Sequence, residues 1–329
     1  MSKVGIIGAG AWGTALAQAA AGAGNQVVLI GRDERIVGEI NDLHHNEKYL
    51  GKQPLSWAIS ASVDFFSLKS CDMVILAVPA QKTRMLLQAL PRDLKSEMPV
   101  VLTAKGFEKQ TLALQSRVLE QEWPQASALV LSGPSFAIDV AAQKPTAITL
   151  ASIDEVLLSR VGRTLASRFF RPYFSTDLYG VELCGGLKNI YALACGAIEG
   201  AGLGLSARSA FIGRAMMEMG RIVEGFGGKS STVNAMAGIG DLVLSCTSGQ
   251  SRNYRFGIEL GKGRSLAEVI QKNIGLAEGV VSAGVANNML AREGIDAPLV
   301  KAVNHLVDGD IDIAMIVEQL MTRPLKSEG

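Results

Sequence analysis

Apolar residues in the first half of the chain gather in short unbroken runs: Val4–Ile7, Val27–Ile30, Met73–Val78, Val100–Thr103, Leu129–Leu131 and Ala147–Leu150. A run with no polar alternation reads as a strand covered on both faces, the signature of a parallel sheet between helical layers. The segments between them, such as Thr83–Leu90 and Leu112–Glu122, carry helical spacing, so the pattern predicts a doubly wound, mostly parallel α/β sheet. Pro79, Pro99, Pro134 and Pro145 fall at strand ends, where a missing N–H is tolerated.

Beyond Tyr173-Phe174-Ser175-Thr176-Asp177 the strand pattern stops. Thr176 or Asp177 can cap a helix starting near Leu178, and from there the spacing is helical: Ala210–Gly225, Leu266–Lys272, Val280–Glu293, Ala297–Val307 and Ile313–Leu320, separated by glycine-rich turns. The expected organisation is therefore a Rossmann-type domain over residues 1–177 and an α-helical substrate domain over 178–329.

Composition narrows the partners. With 329 residues, 48% apolar and 19% charged, the chain is long enough for two hydrophobic cores. A formal charge of +1 gives no electrostatic footprint for nucleic acid or an anionic membrane. Small molecules are the expected partners, and a homodimer is compatible with the sequence. Cys71, Cys184, Cys195 and Cys246 contain no Cys-x-x-Cys pair and read as buried small hydrophobes, in keeping with a reducing compartment. His44, His45 and His305 share no metal-ligand spacing with a carboxylate or cysteine, so no metal is expected. The apolar stretch from Lys3 to Gly24 is broken by a glycine turn, Thr14 and Gln18, unlike a secretory signal. No other segment is expected to supply the roughly 18 uncharged apolar residues of a membrane span.

Two motifs carry chemistry. Gly8-x-Gly10-x-x-Gly13 directly follows a predicted strand and opens a helix, the context of a dinucleotide-binding turn. Gly8 permits the turn, Gly10 lets the backbone approach a pyrophosphate, and Gly13 allows close helix–strand packing, while the helix N-terminus faces the negative charge. At the end of the second strand, where an acidic residue would meet the ribose of NAD, stand Gly31 and Arg32. The arginine suits a 2′-phosphate and favours NADP over NAD, with pairing to Asp33 as the alternative.

Further along, Ala104-Lys105-Gly106 and Leu131-Ser132-Gly133-Pro134-Ser135-Phe136-Ala137 follow strand ends on the ligand-binding edge. Gly185-Gly186-Leu187-Lys188-Asn189 opens the helical half, and Lys188 reads either as a snorkelling surface residue or, with Lys105, as one of two ammonium groups in a cleft. Asp241, after Gly238-Ile239-Gly240, is either a helix N-cap or a site carboxylate. Ser251-Arg252-Asn253 is either a polar turn or a phosphate-binding cluster.

Taken in order, these segments, with Gly238-Ile239-Gly240-Asp241-Leu242-Val243-Leu244-Ser245-Cys246-Thr247-Ser248, resemble the bacterial NAD(P)-dependent glycerol-3-phosphate dehydrogenases over nearly the whole chain. The resemblance implies a cytoplasmic oxidoreductase that interconverts sn-glycerol 3-phosphate and dihydroxyacetone phosphate and supplies phospholipid synthesis. It assigns Lys188 as the proton acceptor and Lys105 as a lysine touching both substrate and cofactor. Gly133, Ser135, Asp241, Ser251, Arg252 and Asn253 match substrate contacts; Trp12, Arg32, Ala137, Arg252, Leu276 and Glu278 match cofactor contacts, together with the Gly8–Gly13 turn. Ala11 stands where a serine is common, Ser206 where an asparagine is, and Ser245 where a threonine is.

These residue types suit the reaction. A free lysine is a poor base at neutral pH, and a second ammonium nearby plus desolvation are expected to lower the pKa of Lys188. Two other readings stay open from sequence: a β-hydroxyacid dehydrogenase of similar plan, and a redox sensor that binds NADP without turnover.

Overall fold

The structure, a computed structural model, describes residues 1–272, 275 and 277–321. Eight strands form one sheet: β1 (Lys3–Ile7), β2 (Gln26–Ile30), β3 (Ile59–Ser62), β4 (Met73–Leu76), β5 (Pro99–Leu102), β6 (Ser127–Ser132), β7 (Thr146–Ala151) and β8 (Phe170–Ser175). Their order is β3-β2-β1-β4-β5-β6-β7-β8, parallel throughout except for the antiparallel β6–β7 pair. On β1, Ile6 lies opposite Leu29 of β2 and Ile75 of β4, so chain order reverses here and a crevice opens beyond the strand's carboxyl end. Val4, Ile6, Val74, Ile75, Val100, Val101 and Leu129 are wholly buried, as unbroken apolar strands require.

Two strands escape the pattern, and both are edges. In β3 the residues after Ile59 are Ser60, Ala61 and Ser62; β8 contains Arg171 and Pro172. An edge strand has one unpaired side, so it needs no continuous apolar run and accepts proline. The helix expected over Leu112–Glu122 starts instead at Gln115, because Leu112 adopts φ 57° and Glu108 pairs with Ala113 in a tight antiparallel bridge.

The helical half is organised around one long helix, Leu178–Gly200. Asp177 caps it, its Oδ1 accepting from Gly180 N at 3.0 Å and its Oδ2 from the Thr232 hydroxyl at 2.6 Å. This helix is apolar over most of its length but holds Glu182 and Lys188, so it is not an uncharged run of 18 residues. It is long enough to cross a membrane, with mean hydropathy 1.2 over its best window, and that window is wholly buried inside the protein. All four cysteines are free and buried.

Helix Arg252–Gly261 was not anticipated, and helix Asp241–Thr247 was anticipated only in the reading of Asp241 as an N-cap. Glycines that look like helix breakers are in fact contact points. A Cβ on Gly257 would lie 2.0 Å from Leu193 O, and one on Gly196 would lie 2.0 Å from Tyr254 O. Gly200 and Gly261 are equally closed, at 2.1 Å from Ile258 O and Ala197 O. Only hydrogen fits at this crossing, and the resulting backbone contact places the start of the Arg252–Gly261 helix beside the middle of Leu178–Gly200.

A matched pair of substitutions tests this. Gly257→Ala should destabilise the fold by at least the roughly 1–3 kcal/mol of an overpacked core, because its methyl would meet backbone. Gly213→Ala, in the Gly204–Gly225 helix with no atom near the added methyl, should instead stabilise by about 0.5–1 kcal/mol. Equal thermal shifts for the two would show that the crossing is not close-packed.

Candidate active site

The turn after β1 separates the roles of its three glycines. Gly8 has φ +115°, and a Cβ there would lie 2.4 Å from Ala77 O; a Cβ on Gly13 would lie 1.9 Å from Gly8 O. Both are demanded by the turn itself. Gly10 is different: nothing lies within 4 Å of its Cβ position, so the fold leaves open space at the N-terminus of the Ala11–Gly22 helix. First-turn amides there have no intrahelical acceptor, which suits a pyrophosphate and fits a dinucleotide cofactor. Ala11 offers a methyl, and half-buried Trp12 packs on the core beneath the turn. Ala137 begins the short Ala137–Ala141 helix, which packs against Ala11–Gly22.

At the end of β2, Asp33 caps the Glu34–Leu43 helix and accepts from Arg35 N at 3.1 Å; that bond leads in holding its carboxyl below the usual range. Its side-chain partner is Arg35, not Arg32. Arg32 is exposed and makes no ion pair among the described residues.

The substrate-side residues converge on one carboxylate. Lys105 Nζ lies 2.5 Å from Asp241 Oδ2, and Lys188 Nζ lies 3.0 Å from Asp241 Oδ1. Asp241 is 1% exposed and Lys188 8%. Lys188 also donates to Ser245 Oγ at 2.7 Å, and Lys105 to the Gly133 carbonyl at 3.1 Å. Ser135 Oγ donates to that same carbonyl, also at 3.1 Å. Asp241 lies in the first turn of its helix rather than at the cap, and Ser245 follows one turn later on the same face.

Glycines make the room. A Cβ on Gly185 would lie 2.7 Å from Ser132 Oγ and 3.8 Å from Lys105 Cγ, and one on Gly186 would press on the Phe107 ring at 2.5 Å. Gly133 adopts φ +150°, which turns its carbonyl toward Lys105.

Burial pulls the Lys105 ammonium down from 10.5 to about 8; Asp241 opposes that shift and Lys188 adds to it. Burial pushes the Asp241 carboxyl up, but Lys105 and Lys188 together prevail and hold it below its ordinary value. Glu278, first residue of the Glu278–Arg292 helix, accepts from Ala80 N at 3.4 Å; burial raises it against the pull of that bond, Lys188, Lys105 and Arg252.

The Ser251-Arg252-Asn253 cluster divides its labour. Ser251 caps the Arg252–Gly261 helix by accepting from Tyr254 N at 3.3 Å. Asn253 is buried, donating to Asn189 Oδ1 at 2.9 Å and accepting from Gly279 N at 3.0 Å. Arg252 alone is exposed, at the helix N-terminus beside Gly275. Ser245 and Asn189 were missed as site residues. The signals were present: Ser245 lies four residues after Asp241, and Asn189 adjoins Lys188. Leu276 lies outside the described residues.

Residues 3–157 match the N-terminal family model of NAD-dependent glycerol-3-phosphate dehydrogenase, and residues 177–318 match the C-terminal one. A glycerol-3-phosphate dehydrogenase [NAD(P)+] of Caulobacter vibrioides is 42% identical over 99% of this chain and 98% of its own length. That of Rhodospirillum rubrum is 39% identical over 100% of this chain and 95% of its own. The crystal structure of glycerol-3-phosphate dehydrogenase from Coxiella burnetii, 35% identical, superposes with a TM-score of 0.92 over 98% of this chain and 99% of that one. D-mandelate dehydrogenase, at 16% identity and a TM-score of 0.62, shares the fold alone. The two family models, the full-length relatives and the superposition agree: this chain belongs to the NAD-dependent glycerol-3-phosphate dehydrogenase family.

Proposed function

We propose that this chain interconverts sn-glycerol 3-phosphate and dihydroxyacetone phosphate with NAD(P)(H), and that the Lys105–Asp241–Lys188 cluster is where the substrate oxygen reacts. The observation that carries the reading is a single buried carboxylate shared by two lysines, both ammonium groups within hydrogen-bond reach of it. Burial and the repulsion between the two ammonium groups make the cluster give up a proton more readily than a free lysine would, against the pull of Asp241 and Glu278.

Residues 1–177 hold the dinucleotide and residues 178–329 complete the substrate pocket. The Gly8–Gly13 turn takes the pyrophosphate, with Ala11, Trp12, Ala137 and Glu278 around the cofactor and Arg32 meeting a 2′-phosphate. The free guanidinium of Arg32 and the absence of an acidic residue at the end of β2 favour NADP, with NAD also accepted. When bound, the nicotinamide supplies or takes up the hydride.

The chain's own residues do the rest. In oxidation Lys188 takes the proton of the 2-hydroxyl as hydride leaves carbon 2; in reduction its ammonium polarises the ketone and returns that proton. Asp241 and Ser245 hold Lys188 Nζ in place, and Lys105, tied to Gly133 O, fixes the second positive charge beside the oxygen. Arg252, with Ser251, receives the phosphate; Gly133 and Ser135 line the opposite wall, and Asn253 orients Asn189. Such an enzyme would work in the cytoplasm, without membrane insertion, supply glycerol 3-phosphate for phospholipid synthesis, and act as a homodimer. Oxidation of NADPH and NADH in the presence of dihydroxyacetone phosphate tests the reaction and the cofactor preference together; turnover faster with NADPH supports both, and none with either cofactor overturns the reaction.

Lys188→Ala should keep the fold and cofactor binding while lowering turnover by on the order of 10² to 10⁴. Arginine should not rescue it, because a guanidinium keeps its proton across the working range. Near-normal turnover of Lys188→Ala would move the proton to Lys105.

Asp241→Asn removes the carboxylate that raises Lys105 against burial, so the Lys105 ammonium should lose its proton at lower pH than in the wild type, read by NMR titration of its side-chain signals. A shift to higher pH would contradict the assignment. In the wild type the lowered Lys105 also sets a sign for stability: between about 8 and 10.5 the unfolded chain binds more protons than the folded one, so stability contributed by this group rises with pH across that window.

A further inference from the structure

Beyond Leu102 the backbone leaves β5, and its carbonyls must find donors outside the sheet. Three consecutive ones are held by side-chain carboxamides. Lys105 O accepts from Asn189 Nδ2 at 2.9 Å, Gly106 O from Gln115 Nε2 at 3.2 Å, and Phe107 O from Gln81 Nε2 at 2.6 Å. Gln81 also accepts from Lys109 N at 3.0 Å, so it grips the segment twice. The three amides come from three different elements: the Leu178–Gly200 helix, the start of the Gln115–Glu122 helix, and the turn after β4.

Gln115 is the middle grip and is wholly buried. The helix it opens has no capping side chain of its own, since its N-cap is Leu114. Glu182 fills that place from the Leu178–Gly200 helix, its Oε1 accepting from Gln115 N and from Ser116 N at 3.2 Å. Glu182 is 4% exposed, and burial lifts its carboxyl to about 7 against the bonds from Ser116 and Gln115 and the field of Arg117. Neither Gln115 nor Glu182 has a role in the reaction described above.

We propose that Gln115, seated by Glu182, is a positioning residue that sets Lys105 against Asp241 by holding the Gly106 carbonyl. The proposal rests on the reaction assigned above. The chemistry requires a neutral donor at this place. A carboxylate could not donate to a carbonyl, and a cation would add a third positive charge beside Lys105 and Lys188. Two atoms of the assembly, Gln115 Oε1 and Glu182 Oε2, are buried without a hydrogen-bond partner among the described residues.

The test is kinetic and structural. Gln115→Ala should lower kcat for dihydroxyacetone phosphate reduction by on the order of ten- to a hundredfold, the effect of a small misplacement of a reacting group. KM for the substrate and for NADPH should stay within about twofold, since no binding contact is removed. Gln115→Met, which keeps the size and loses the donor, should behave like Gln115→Ala. Glu182→Leu should lower kcat as well, and adding it to Gln115→Ala should cost no further turnover, because both act through one carbonyl. Wild-type kcat in Gln115→Ala, or full additivity in the double variant, would overturn the proposal. A crystal structure of Gln115→Ala reads it without turnover: Lys105 Nζ displaced from Asp241 Oδ2 supports the role, and Nζ still at 2.5 Å contradicts it. Absence of wild-type turnover with dihydroxyacetone phosphate would overturn the assigned reaction instead, leaving that structural result to decide on Gln115.

Discussion

One buried carboxylate faces two ammonium groups, Lys188 buried and Lys105 partly so, and most of the architecture can be understood as the means of keeping it there. Asp241 is 1% exposed and meets Lys105 at 2.5 Å and Lys188 at 3.0 Å. Taking three charges out of water is costly, and a pair with one member removed costs more than either pair intact. The cluster is therefore a poor stabiliser of the fold. Under the proposed reaction its value is chemical: two ammonium groups share one contacting carboxylate where a proton comes and goes.

Each member arrives on a different element. Lys105 follows β5, Lys188 sits midway along Leu178–Gly200, and Asp241 begins Asp241–Thr247. The Asp241–Thr247 helix packs directly on Leu178–Gly200, and further along the same helix Arg252–Gly261 crosses at backbone distance, where Gly196, Gly200, Gly257 and Gly261 leave no room for a methyl. The same crossing brings Asn253 to Asn189, which in turn holds Lys105 O. A packing constraint in the core thus becomes an alignment constraint in the site. The end of the long helix is fixed independently by Asp177, whose two oxygens reach Gly180 N and Thr232.

Much of this was legible in the residues. Unbroken apolar runs located the six strands that are covered on both faces, because burial leaves a continuous record. The edges β3 and β8 left none, since Ser60 or Pro172 is tolerable only where one side is unpaired. Gly8 and Gly13 could be read as structural and Gly10 as functional, and the Cβ distances separate them on that line. The glycines of the helix crossing misled in the opposite direction, because a local rule treats glycine as a breaker and cannot see the helix that lies across it. Lys188 and Asp241 were ambiguous for a related reason: a charge is recognisable as functional only when its burial and partner are known. Ser245 and Asn189 could have been found from their spacing to Asp241 and Lys188, whereas Gln115 and Glu182 meet across two elements, and spacing along the chain does not encode that.

The central claim is that the amine of Lys188 carries the proton within the Asp241 cluster. Chemical rescue measures that most directly: Lys188→Ala assayed for glycerol 3-phosphate oxidation with a series of small primary amines added to the buffer. The account predicts saturable recovery of turnover that increases with the basicity of the amine, and none with guanidine. No recovery in Lys188→Ala, alongside recovery by the same amines in Lys105→Ala, would contradict it.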